Sequence, residues 1–197
     1  MKRLFDIVAS GLGLIVLSPL FLILAIWIKV DSKGPVFYRQ VRVGLHNKDF
    51  RIFKFRSMRV GADKGSLVTI GGRDPRITRS GYFIRKFKFD ELPQLINVFV
   101  GDMSLVGPRP EVRHYVDYWT DEQMHVLDVR PGITDPASIK FRNENELMEQ
   151  AEDPENYYIE VIMQEKLKLY LEYVQNHSFL GDIGLIFKTF WVIVKER

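Results

Sequence analysis

Residues 4–28 read LFDIVASGLGLIVLSPLFLILAIWI, and how this stretch meets its surroundings decides the fold. It is almost wholly apolar. Asp6 is its one charge, Lys2 and Arg3 precede it, and Lys29 follows. The run exceeds the roughly 20 residues that cross a hydrocarbon core of about 30 Å. A secretory signal has a shorter apolar segment and a small-residue cleavage site after it, and neither fits here. Length alone therefore favours a transmembrane helix. Two features pull the other way. Ser18-Pro19 falls mid-run, and an interior proline removes a hydrogen bond and kinks a helix. Each half is then roughly 10–14 residues, about 15–21 Å at a rise of 1.5 Å per residue, too short to cross alone. Basic residues flank both ends, so the positive-inside rule gives no direction. A hairpin that dips into the bilayer and returns to the same side satisfies both features. On these residues alone the kinked span and the re-entrant hairpin both stay open.

The remaining chain is soluble in character. A length of 197 residues fits one domain, or one domain plus an anchor. With 46% hydrophobic and 27% charged residues it can bury a core and is not a disordered chain. There is no cysteine, which excludes disulfides, zinc–thiolate sites and cysteine nucleophiles. A net charge of +3 suits a membrane surface or a phosphorylated substrate. It is too modest, with no binding motif beside it, to indicate nucleic acid.

Local patterns follow in order. GPVFYRQVRVG (34–44) alternates apolar and polar residues, 45–49 interrupt, and FRIFKFRSM (50–58) resumes. That predicts a β-hairpin with its arginines and lysine on one face. Residues 59–75 are rich in glycine and charge and read as a loop. RITRSGYFIRKF (76–87) is helical in its second half. Residues 90–100 predict a helix with Asp90 as its N-cap or in its first turn, where Pro93 is tolerated. VGPRP (106–110) and RPGIT (130–134) predict rigid turns, and 111–128 and 155–176 predict charged helices. FLGDIGLIFKTFWVIVKER (179–197) predicts an amphipathic helix, either in a membrane interface or in the core.

Chemistry concentrates in KFDELPQLINVFVGDMSLVGPRPE (88–111). A carboxylate at a helix start stays ionised beside free amides and the positive dipole end. Asp90 there suits a nucleophile or a metal ligand more than a general acid. Carboxylates also suit magnesium, which keeps waters and binds substrate phosphates. The bland alternative is an N-cap with a first-turn glutamate beside it. Arg56, Arg73, Arg76, Arg79, Arg85, Lys86, Lys88, Arg109, Arg130 and Arg142 flank the pair, and guanidinium forks match phosphate oxygens, with a solvated basic face the bland reading for most of them. Prolines on both sides of Arg109 restrict its backbone. The four histidines lack metal-like spacing, and no Walker, dinucleotide or Gly-x-Ser-x-Gly fingerprint is present.

KRLFDI, the Ser18-Pro19 break, FYRQVRVG, FKFRSM, RDPRIT, DELPQLINVF, GDMSLVGPRPE, VRPGIT and YVQNHSFLGDI together resemble the monotopic phosphoglycosyl transferases, the bacterial sugar transferase family. The resemblance runs nearly end to end, in order and spacing. It implies an α+β fold, mostly helical, with a re-entrant anchor over 1–30, bent at Ser18-Pro19. A cytoplasmic catalytic domain over 31–197 would carry a small β-hairpin and interfacial helices. It implies transfer of sugar-1-phosphate from a UDP-sugar to a polyprenyl phosphate such as undecaprenyl phosphate, releasing UMP. This is the first membrane step of glycoconjugate synthesis, ahead of downstream glycosyltransferases, at the cytoplasmic face of a bacterial inner membrane. By this resemblance Asp90 is the nucleophile, Glu91 helps to hold Mg2+ with Asp90, and Arg85, Arg109 and Arg142 contact phosphate or donor. Arg56 occupies a further Lys/Arg position of the hairpin. Two departures stand out. After Pro-Gly-Ile-Thr the family often continues Gly-Trp-Ala-Gln-Val-Asn-Gly-Arg, whereas this chain continues with Asp135 to Arg142. An acidic residue usual in the late helix is replaced near Lys168–Tyr170. A catalytically silent membrane scaffold is the rival reading.

Overall fold

A computed structural model describes residues 1–62, 74–141 and 144–195. The architecture is α+β and mostly helical, as the resemblance implies. Helix α1, Lys2–Asp31, is the long apolar element. Its apolarity is turned mostly outward. Leu12, Ile15, Val16, Leu22, Ile23 and Ile26 are exposed, and only 11% of its most apolar window is buried by the rest of the described chain. A soluble core helix would bury that surface. The helix is long and apolar enough to cross a membrane, and its bare surface marks membrane association.

The expected break is a proline inside one helix rather than a gap between two. Pro19 has no N–H to offer the Ile15 carbonyl four residues back. The Ser18 hydroxyl donates to that same carbonyl at 2.8 Å, which fills the missing bond. Ser-Pro therefore softens the helix without ending it.

The face of α1 that is covered meets the rest of the chain at both ends and in between. Near the start, Lys2 Nζ donates to the Val106 carbonyl at 2.8 Å and pairs with Asp182. Asp6, the lone charge of the run, is 3% exposed. Its carboxylate accepts from Ser104 Oγ at 2.9 Å and from the Leu105 amide at 3.0 Å. Further along, Gly11 and Gly13 let Phe99 and Leu95 approach, because a Cβ at either position would meet those side chains at 3.3 and 3.2 Å. Near the end, Leu24 and Ile28 bury against Phe55 and Ile84, and Asp31 accepts from the Ser80 amide and hydroxyl at 2.9 and 2.8 Å.

The predicted hairpin is present. Strand β1, Phe37–Val43, pairs antiparallel with β2, Asp49–Phe55, from Phe37↔Phe55 to Val43↔Asp49. Side chains alternate across a strand. One face carries Phe37 and Phe55 to the α1 cluster. The other carries Ile52 to Val98 and Met103. Helix α2, Arg79–Lys86, is capped by the Thr78 hydroxyl, which accepts from the Gly81 amide at 3.0 Å. Helix α3 is shorter than expected. It covers Gln94–Val100, preceded by a 3-10 turn over Phe89–Glu91, so Asp90 lies ahead of the helix and does not cap it.

A pairing that the sequence reading missed follows. Strand β3, Ser104–Val106, runs parallel to β4, Gly132–Thr134, joining the two segments read as turns. Between them the expected 111–128 helix is split into α4, Arg113–Val116, α5, Asp121–Met124, and a 3-10 turn over His125–Asp128. Helix α6 is Glu144–Glu149. The long charged helix is continuous as α7, Pro154–Tyr157, a π-helical turn over Tyr158–Ile162, and α8, Met163–Asn176. Its buried face, with Tyr158, Ile162, Met163, Leu167 and Tyr170, joins Tyr115 and Ala137 in the largest core cluster. Helix α9, Phe179–Lys195, leaves Leu180, Phe187 and Trp191 exposed. The core alternative for it is therefore set aside.

Candidate active site

The chain leaves α2 through Lys88, whose left-handed φ of 58° turns it sharply into the Phe89–Glu91 turn. That turn puts Asp90 and Glu91 between the hairpin and the segment after β3. The two carboxylates meet opposite fates. Glu91 accepts from Lys54 Nζ at 3.1 Å and is gripped by both terminal nitrogens of Arg109. Two parallel guanidinium bonds are the strongest form of this pairing. Asp90 Oδ1 is buried with no hydrogen-bond partner.

The electrostatics follow from that geometry. Burial pushes the Asp90 carboxyl above the ordinary range and the neighbouring Glu91 charge pushes it further, with Lys54, Arg85 and Lys88 only partly offsetting this. Burial acts the same way on Glu91, but Arg109 and Lys54 overcome it and hold this carboxyl well below the ordinary range. Glu91 in turn raises the Arg109 guanidinium. Burial lowers the Lys54 ammonium, opposed mainly by Glu91. The site thus pairs a fixed anion with a carboxylate that lacks its counter-charge, the division of roles expected where two adjacent acids do different work.

Each partner has a structural reason to be there. Lys54 lies two residues from core residue Ile52 on β2, so the period-2 alternation turns it to the same inward face. Arg109 leaves β3 between two prolines. Its loop is stitched to β4 by Gly107 N–H donating to the Thr134 carbonyl at 3.0 Å and Gly132 N–H donating to the Pro108 carbonyl at 2.8 Å. The backbones touch so closely that a Cβ on Gly132 would lie 2.1 Å from the Gly107 nitrogen. Next along, Glu111 accepts from Arg42 at 3.4 Å and from the Tyr158 hydroxyl at 2.5 Å, and Arg42 also donates to the Pro110 carbonyl at 3.0 Å. The hairpin, the Pro-Arg-Pro segment and the π-helical turn are thereby tied together.

The expected site residues divide. Asp90, Glu91 and Arg109 come together, and Arg85 on α2 is near enough for its charge to favour ionised Asp90. Arg56 is committed elsewhere. It is 4% exposed and donates to the Lys33 carbonyl at 2.5 Å and the Ser32 carbonyl at 2.8 Å, capping the end of α1. Arg142 and the glycine-rich 63–73 lie outside the described residues. Lys54, Arg42 and Asp135 were missed. Strand parity could have found Lys54, whereas Asp135 depends on the β3–β4 pairing.

Fold and site together define a membrane-associated protein with a buried carboxylate–arginine pair. The bacterial sugar transferase family model matches residues 1–196, and the chain belongs to that family. It is 39% identical over 192 residues to the UDP-glucose:undecaprenyl-phosphate glucose-1-phosphate transferase of Klebsiella pneumoniae, covering 95% of this chain and 39% of the relative. It is 40% identical over 196 residues to the UDP-N-acetylgalactosamine-undecaprenyl-phosphate N-acetylgalactosaminephosphotransferase of Aeromonas hydrophila, covering 98% and 43%. It is 38% identical over 190 residues to the uncharacterized sugar transferase EpsL of Bacillus subtilis, covering 96% and 85%. The chain therefore spans about two fifths of the length of the first two and most of the third.

Proposed function

We propose that the chain transfers sugar-1-phosphate from a UDP-sugar to a polyprenyl phosphate, giving polyprenyl diphosphate-sugar and UMP. The observation that carries this reading is the unpartnered, buried Asp90 Oδ1 beside an ion-paired Glu91. A carboxylate short of partners is available to attack. In the first step an Asp90 oxygen bonds to the sugar-bearing phosphorus. The bond from that phosphorus to the bridging oxygen breaks, and UMP leaves with the electron pair. In the second step an oxygen of the lipid phosphate attacks the same phosphorus and the Asp90 carboxylate is released. Both steps bring anions together. Arg109, Lys54 and Arg85 are fixed positive charges for them, and preorganised charge of this kind is the main source of phosphoryl-transfer catalysis.

Magnesium dependence belongs to the proposal. Among the described residues no group of three or more His, Cys, Asp or Glu forms a ready cage. Magnesium, however, is usually bound by one or two carboxylates together with substrate phosphates. Asp90, with its free buried oxygen, and Glu91 fit that need. A bound Mg2+ would offset the charge of the donor diphosphate.

We place the protein at the cytoplasmic face of the bacterial inner membrane, where UDP-sugars are found, as a monotopic enzyme. The contacts of Lys2, Asp6 and Asp31 with one body support both ends of α1 lying on one side. Solubilised protein given Mg2+, undecaprenyl phosphate and a panel of UDP-sugars should release UMP with at least one of them. No release from any sugar, or equal release by Asp90→Asn, would defeat the reading.

A further inference from the structure

Helix α2 turns an aromatic face outward. Its inward face is fixed by Gly81, where a Cβ would lie 1.9 Å from the Ser57 carbonyl oxygen, and by Ile84, which buries against Leu24, Ile28 and Phe55. That rotation leaves Phe83 on the surface, 41% exposed. Its ring centroid is 5.2 Å from that of Trp27 on α1 and 4.6 Å from that of Phe87. Phe87 in turn stacks on Phe89 at 5.7 Å, and Phe89 directly precedes Asp90. A row of rings, each at contact distance from the next, therefore runs from the apolar helix to the residue that carries the unpartnered oxygen. At the outer end Trp27 shares its face of α1 with the exposed Ile23 and Val30, four and three residues away, so the row continues the bare apolar surface. At the inner end residues 79–89 carry Arg79, Arg85, Lys86 and Lys88 and no acid. Lys86 Nζ lies 5.8 Å from the Phe87 ring centroid, and Arg85 and Lys88 are near enough for their charges to favour ionised Asp90. Rings that served only to pack α2 on α1 would be buried as Ile84 is, and exposed apolar surface rimmed by charge marks a binding surface.

We propose that Trp27, Phe83, Phe87 and Phe89 form the track that binds the lipid acceptor, its first isoprene units lying along the rings and its phosphate beside Asp90. The inference rests on the proposed reaction and says where its second substrate enters. An apolar row that starts at the membrane helix and ends among cations is complementary to a molecule with an apolar tail and an anionic head. A UDP-sugar has a uracil ring but no tail, so it has no use for a row that continues into α1. The two steps then draw on different surfaces. Formation of the phosphosugar intermediate does not need the track, and its discharge onto the lipid does.

That separation gives the test. Phe83→Gln changes an exposed position and should raise KM for undecaprenyl phosphate about 5- to 20-fold, as loss of one apolar ring contact does. Donor KM and the burst of UMP released in the absence of lipid should stay within about twofold, because the lost binding belongs to the acceptor alone. Phe83→Leu should fall between Phe83→Gln and the wild type. Phe187→Gln strips a ring of greater exposure from α9 and should leave all three quantities unchanged. Equal rises in acceptor KM for Phe83→Gln and Phe187→Gln, a comparable rise in donor KM, or a weaker burst would overturn the proposal. A photoreactive benzophenone side chain installed in place of Phe83 needs no turnover. Irradiated in micelles that hold undecaprenyl phosphate and an excess of phosphatidylglycerol, it should capture undecaprenyl phosphate, seen as an adduct by intact mass, while the same group in place of Phe187 should not. Adducts of phosphatidylglycerol alone would make the rings an interfacial anchor and refute the track. A wild type inert toward every UDP-sugar would sink the reaction, while this capture would still decide the track.

Discussion

On the Asp90 side of the site a carboxylate oxygen is buried with no hydrogen-bond partner, while on the Glu91 side, one residue along, the carboxyl is held by Arg109 and Lys54. The chemistry of the two groups is the same and their spacing in the chain is minimal. Their surroundings differ because the hairpin and the Pro-Arg-Pro loop both deliver cations to one of them. The lesson is that a folded chain sets acid against acid by where it spends its counter-charges. Glu91 contributes to stability and electrostatics. Asp90 is left strained, and strain of this kind is retained where chemistry needs it.

The sharpest test of the contrast is at Asp90. Asp90→Asn should lower UMP release by at least about 10⁴-fold, as loss of a nucleophile does. It should also hold or raise the melting temperature at neutral pH. The sign follows from the raised folded-state pKa. The unfolded chain loses this proton first, so the ionised group costs stability above the unfolded pKa, and Asn removes that cost. A clear fall in melting temperature would break the comparison. Next, Arg109→Lys should lower kcat about 10²- to 10³-fold, because one ammonium cannot reproduce the bidentate grip. Equal activity of the Lys variant would show that the fork is not needed.

Glu91→Gln should show the opposite stability sign. The folded pKa of Glu91 is lowered, so its contribution is present above the unfolded value near 4.3 and is lost as pH falls through the folded value. Removing the charge should cost about 1.5–3 kcal/mol, as for a hydrogen bond to a charged group. Melting curves across pH 3–8, compared between Glu91→Gln and Asp90→Asn, would reveal whether the two carboxyls really diverge. The smallest effect on chemistry is expected at Arg56. Arg56→Met should lower the melting temperature by uncapping α1 while changing donor KM and kcat less than about threefold. A large rise in donor KM would return Arg56 to the site.

Much of this was legible from local pattern. The hairpin shows as period-2 alternation, the membrane helix as a long, almost wholly apolar run, and Arg109 as an arginine fixed between prolines. What escaped was non-local. The β3–β4 ladder joins two three-residue strands separated by 25 residues, too short to carry an alternation signal. Without it Asp135 cannot be placed at the end of β4, next to the strand stitched to the Pro-Arg-Pro loop. Asp90 was expected at a helix N-cap because Asp-Glu before an apolar run has that signature. The left-handed Lys88 inserts a 3-10 turn instead, and helix ends are decided by such single residues. Arg56 misled because a guanidinium matches backbone carbonyls as readily as it complements an anion.

Asp6 gives the membrane helix a second meaning. Its carboxylate holds Ser104 and the Leu105 amide at the strand that leads to Arg109, and Phe55 and Ile84 lie beneath the other end of the same helix. A chain cut before Lys29 would lose these supports of β3, the hairpin and α2 along with its apolar tether. The apolar helix is therefore a scaffold for the strand before the arginine loop as well as an anchor, and removing it should cost fold as well as location.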